Sequence, residues 1–130
     1  MPVIISPARE AQTKYEYGCD LRRLYPWNEV TDPEFWGSAI ASVRPGEATT
    51  PHSHDEEETF IILSGAGSIT VDDESSDIAQ GDVIYLPRHS HHTVLNHSDA
   101  DPLVFLTIFW GSPEAHAALK RRYGLAQAEA

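Results

Sequence analysis

From Gly37 to Trp110 the chain is a succession of short runs rich in β-branched and aromatic residues, each closed by Gly, Pro, Asp or Ser. Runs of this kind read as strands. They cover Ser38 to Val43, Glu58 to Leu63, Gly67 to Val71, Asp77 to Ala79, Asp82 to Leu86, His92 to Asn96 and Leu103 to Trp110. Strands at this spacing, with no helical period between them, favour a closed barrel or sandwich over an alternating strand–helix sheet. With 130 residues there is material for one hydrophobic core. The expectation is a single all-β domain over 1–130, with its barrel in 37–111.

The flanks read differently. In residues 1–36 aromatic and apolar positions are scattered among charges, which predicts short strands and loops that pad the core. Asp32-Pro33 has the chemistry to open one helical turn. After Gly111, Ser112 suits an N-cap, Pro113 the first helical position and Gly124 the stop, so a short C-terminal helix is expected over 112–124. Residues 125–130 are an Ala-rich tail or the stub of a linker to a further domain. The acidic stretch Asp72 to Asp77 reads as a solvated hairpin loop.

Charge and cysteine usage exclude several roles. A formal net charge of -11 sets long-range repulsion against phosphate backbones and anionic membranes, so neither nucleic acid nor a membrane is expected as partner. No apolar stretch approaches the roughly 20 residues that span a bilayer. One cysteine, Cys19, allows no internal disulfide, and the N-terminal Val3-Ile4-Ile5 is too short for a signal sequence. A cytoplasmic setting is expected, with Cys19 a quiet core residue.

Chemistry concentrates in four residues. His52 and His54 are two apart, so on an extended strand both side chains leave the same face, roughly 7 Å apart along it. Glu58 follows at an even offset and opens the next strand, and His92 opens a later one. Three imidazoles and a carboxylate suit Zn(II), Fe(II), Mn(II), Co(II) or Ni(II), with open positions left for substrate if the ion is octahedral. Glu56 and Glu57 read as solvated, and His91, alternating with His92, should face away from the interior. Tyr85, Arg88 and His89 are placed near the mouth of the barrel.

These residues carry a family resemblance. Gly46-x5-His52-x-His54-x3-Glu58-x6-Gly65 resembles the complete first cupin motif. Gly81-x5-Pro87-x-His89-x2-His92-x3-Asn96 resembles the second, except that His89 stands where the family usually has glycine. That glycine eases a tight turn, so His89 must adopt an uncommon backbone angle or reshape the loop. The resemblance spans residues 46–96 and implies a small jelly-roll barrel that often dimerises, hence a homodimer, with His52, His54, Glu58 and His92 as metal ligands.

For function it implies a mononuclear metal enzyme acting on a small polar metabolite: an oxygenase, isomerase or non-redox rearrangement catalyst. Glu58, His89 and Tyr85 are the candidate acid/base groups. Thiol dioxygenases of the family usually lack the glutamate ligand. Its sulfoniopropionate lyases use a tyrosine two residues after that glutamate, where this chain has Phe60. A second reading is a zinc cupin that forms a nitrogen–nitrogen bond in an amino-acid derivative beside a tRNA-synthetase-like domain in a larger enzyme. A third, of another class, is a non-catalytic metabolite sensor.

Overall fold

The computed structural model describes residues 3–26, 33, 36–111, 114, 117 and 121. Among the described residues the chain passes through a 3-10 turn at Ala8–Glu10 and then nine strands. These are β1 (Lys14–Glu16), β2 (Cys19–Tyr25), β3 (Trp36–Val43), β4 (Glu57–Ser64), β5 (Ala66–Val71), β6 (Glu74–Ala79), β7 (Val83–Leu86), β8 (His92–Leu95) and β9 (Leu103–Trp110). Two antiparallel sheets result, one ordered β1-β2-β3-β9-β4-β7 and the other β6-β5-β8. This is the expected all-β jelly roll.

Alternation decides which side chains face inward. Along β4 the buried positions are Glu58, Phe60 and Ile62, while Glu57, Thr59 and Ile61 are partly exposed. On β9, Leu103, Phe105 and Thr107 are the buried set. Of these, Phe60, Ile62, Leu103 and Phe105 meet Ile69, Ile78 and Val94 of the smaller sheet in one core cluster. Each sheet has an apolar face to remove from water, and the two faces cover one another. Asn96, just past β8, is 1% exposed, with its amide donating to the carbonyls of Val43 and Asp101.

The scattered N-terminal residues form the expected short strands, as β1 and β2, which extend the larger sheet beyond β3. Two expectations change. The acidic stretch is a loop only at Asp72-Asp73; Glu74 to Asp77 pair with β5 as strand β6, because a two-residue turn with Asp72 at φ 54° is enough to reverse the chain. Their carboxylates face solvent, as expected, from a strand instead of a loop. Glu56, read as solvated, is 3% exposed. The helix expected over 112–124, the tail 125–130 and the turn at Asp32-Pro33 fall largely or wholly outside the described residues. Among the described residues no helix is long and apolar enough to cross a membrane.

Candidate metal centre

His52 and His54 do not lie on a regular strand. His52 makes an isolated antiparallel bridge to His92, and irregular chain follows as far as Glu57, where β4 begins. The segment Ala48–His52 thereby runs beside β8 as an unofficial fourth strand of the smaller sheet, bridging also from Ala48 to Leu95. Main-chain bonds hold it: His92 donates to the His52 carbonyl at 3.1 Å, and His52 returns one at 3.4 Å. The loop that carries His54 is tied down by the His89 amide, which donates to the His54 carbonyl at 2.9 Å.

His89 has φ 65°, the left-handed conformation for which glycine is the usual residue. The turn is therefore retained at this position, with histidine carrying its strain.

Three imidazoles converge despite the irregular backbone. The ring centroids of His52 and His92 are 4.7 Å apart, those of His52 and His54 5.7 Å, and those of His54 and His92 5.8 Å. One nitrogen from each lies within 4.8 Å of the others, a spacing at which three histidines could hold one ion. Glu58 stands beside them, with Oε1 3.1 Å from His54 Nε2 and 3.4 Å from His92 Nε2. Its other oxygen accepts a hydrogen bond from the Thr107 hydroxyl.

The residues fit a cation. His52 Nδ1 faces the Thr50 carbonyl at 2.9 Å and His92 Nδ1 the Ser90 carbonyl at 3.3 Å, so in both rings Nδ1 carries the proton and Nε2 keeps its lone pair. The Nε2 of His92 is buried and makes no hydrogen bond. A lone pair hidden from water without a partner is costly unless something electron-poor takes it up. Burial lowers the pKa of His52, which favours the neutral imidazole with a lone pair to donate.

Burial alone would push the Glu58 carboxyl up. Hydrogen bonding from His54, the nearness of His92 and the Thr107 hydroxyl outweigh it and bring it down to about 2. Glu56 adds a second buried carboxylate, 3.9 Å from His54 Nδ1. The parity that turns Glu58 inward turns Glu56 inward too, which the sequence reading overlooked. The carboxylate that lines the pocket with the three imidazoles is Glu58.

Above this cluster lies a cavity of ≈ 70 Å³ walled by Tyr17, Phe60, Phe105 and Phe109, with Cys19 and Arg23 from β2. Tyr17, at φ 56° in the β1–β2 turn, packs its ring 5.4 Å from that of His52. Tyr17, Arg23 and Thr107 carried no local signal in the sequence; long-range pairing brings them in.

Other residues singled out in the sequence lie elsewhere. Tyr85 is 55% exposed on β7, whose inward positions are Ile84 and Leu86, and its hydroxyl donates to Glu57 on the outer face. The His89 side chain is exposed and sits 3.4 Å from Asp55, away from the residues that line the cavity. Arg88 also pairs with Asp55, at 2.8 Å. His91 is exposed, as its parity requires.

Comparison with known proteins agrees with this architecture. Protein SchB of Streptomyces halstedii is 32% identical over 91 residues, 68% of this chain and 64% of that protein. The dimethylsulfoniopropionate lyase DddW of Ruegeria pomeroyi is 34% identical over 53 residues, 41% of this chain and 35% of that one. The chain thus spans between about a third and two thirds of these curated relatives. The solved structure of plu4264 from Photorhabdus luminescens superposes with a TM-score of 0.75 at 32% identity, covering 95% of this chain and 99% of that one. Residues 39–109 match the family model described as the cupin domain, and the chain belongs to that family.

Proposed function

We propose that this protein is a metal-dependent enzyme that binds one divalent transition-metal ion through His52, His54, Glu58 and His92 and acts on a small polar metabolite. One observation carries the reading: the buried, unbonded Nε2 of His92 faces the same point as the other imidazoles and the ionised Glu58, beneath an apolar cavity. A divalent ion there supplies Lewis-acid polarisation of a substrate donor atom. Glu58 holds negative charge against it at any pH above its depressed pKa. Phe60, Phe105 and Phe109 give the cavity an apolar wall, beside which electrostatic contacts are less screened than in open water.

Within the cavity Glu58 is the acid/base group this reading keeps, because Tyr85 and His89 point elsewhere. Lyase chemistry of the kind named for the Ruegeria relative is disfavoured by Phe60, two residues past Glu58. Oxygenation, isomerisation and non-redox rearrangement all suit the donor set. Exposed Val83 and Tyr85 on edge strand β7 are consistent with the proposed homodimer.

The test is elemental analysis of the purified full chain, followed by oxygen-uptake measurements across a metabolite panel. Iron with uptake identifies an oxygenase, and zinc without uptake a rearrangement catalyst or isomerase. A chain that carries no transition metal and takes none up from excess Zn(II), Fe(II) or Co(II) overturns the reading.

A further inference from the structure

The inner face of β3 is built from small residues. Gly37, Ala39 and Ala41 occupy its inward positions, and a Cβ on Gly37 would strike the Phe109 ring. On one side β3 pairs with β9 and on the other with β2. Directly opposed residues of antiparallel strands share a face. Arg23 opposes Ala39, Ala39 opposes Thr107, and Thr107 opposes Phe60, so these four form one row across the floor of the barrel. Thr107 in that row donates to Glu58. Arg23 thus lies two strands from Thr107, roughly 10 Å, with only the methyl group of Ala39 between.

Arg23 lines the cavity for a structural reason. Positions 19, 21 and 23 of β2 share inward parity, and all line the cavity. Arg22, one residue earlier, opposes Ile40 on the outer face. The register of β2 then shifts between Arg23 and Tyr25. Bulges of this kind re-aim side chains and gather beside functional sites. Arg23 is the one lining residue, among those described, that is cationic at every physiological pH. Its side chain is 22% exposed and ion-paired with Glu16 of β1.

A permanent cation placed on the wall of an aromatic cavity, in a chain of net charge -11, is a selective feature. We infer that Arg23 is the specificity residue of this cavity and takes the carboxylate of an anionic substrate, presenting the rest of the molecule to the His52, His54 and His92 cluster. The small cavity suits a small carboxylate. A planar guanidinium matches a carboxylate with two parallel N–H donors, which orients as well as attracts. Glu16 occupies the same cation, so it acts as the competitor that an arriving carboxylate displaces. The inference deepens the metal-enzyme reading and rests on it for the second half of the geometry.

The experiment is calorimetric titration of the full chain, metal-free and Co(II)-loaded, with glycolate, malonate and succinate. Their neutral amides serve as controls. At least one carboxylate is expected to bind wild type, to weaken about ten- to hundred-fold in Arg23→Met, and to recover part of that loss in Arg23→Lys. Glu16→Gln is expected to tighten it, an opposite shift that a merely structural ion pair would not produce. Circular dichroism verifies that each variant is folded.

Equal affinity in wild type and folded Arg23→Met and Arg23→Lys, equal affinity for acid and amide, or no binding by any of the three acids overturns the inference. Arg23-dependent binding in a chain that takes up no Co(II) leaves the inference standing and removes the metal reading. Co(II) uptake without Arg23 dependence does the reverse.

Discussion

Replacing Thr107 with valine should weaken metal binding without opening the barrel. The side chain is 6% exposed, and its hydroxyl donates to the buried Oε2 of Glu58, itself on a residue 6% exposed. Valine keeps the shape and removes only the donor. A hydrogen bond to a charged group contributes about 1.5–3 kcal/mol, and each ~1.4 kcal/mol is a factor of ten in an equilibrium constant. Outer partners of metal ligands typically matter by about 10- to 100-fold in affinity, so the two routes agree. The Kd for Co(II), read from its visible absorption in competition with a chelator, should rise by about 10- to 100-fold in Thr107→Val and stay near wild type in Thr107→Ser. An unchanged Kd in a folded Thr107→Val variant would refute the idea that this hydroxyl steadies the ligand carboxylate.

Further predictions test the ligand set, the turn and the core. His92→Ala should lose metal loading by elemental analysis while keeping its circular dichroism, whereas Glu57→Gln should load normally, since Glu57 bonds Tyr85 and Trp110 on the outer face; metal loss in the second would place the carboxylate ligand one residue away. His89→Gly should unfold within about 1 kcal/mol of wild type in urea, as relief of left-handed strain offsets the added freedom of the unfolded chain; a loss well beyond that would mean the side chain itself holds the turn. Burial, then Asp20 and Glu16, push the Cys19 thiol up to about 11. The folded chain therefore keeps a proton that the unfolded thiol gives up near its ordinary value, and stability should fall as pH rises from about 9 to about 11. Cys19→Ala should flatten that limb of the thermal-melt pH profile.

The barrel from Gly37 to Trp110 could be read from the chain because its strands alternate cleanly and their turns carry Gly, Pro or Asp; β9 appears with the expected bounds, and the others shift by a residue or two, apart from the early start of β6. β1 and β2 could not be placed, since Lys14, Glu16, Asp20, Arg22 and Arg23 break the apolar pattern and β3, which joins them to the rest of the sheet, lies ten residues beyond β2. The histidine spacing was legible for a chemical reason, namely that few other roles ask for imidazoles and a carboxylate at those offsets. The premise that His52 and His54 share a strand was not needed: a single bridge to His92 brings them in. Glu56 was set aside because only Glu58 also fits the motif spacing, yet it is 3% exposed. Thr107 and Arg23 look like any residue of a β-strand until register across three strands places them in one row.

The paired amide bonds between His52 and His92, and the one from His89 to His54, stitch the donor-bearing segments together through the backbone alone. In metal-nucleated folds the free energy of coordination is the free energy of folding. Here main-chain bonds position the donor residues without help from an ion, so if the proposed metal binds, a chelator is expected to remove it and leave the barrel folded and able to take up another. The element such a site would take in a cell then depends on donor chemistry and local supply.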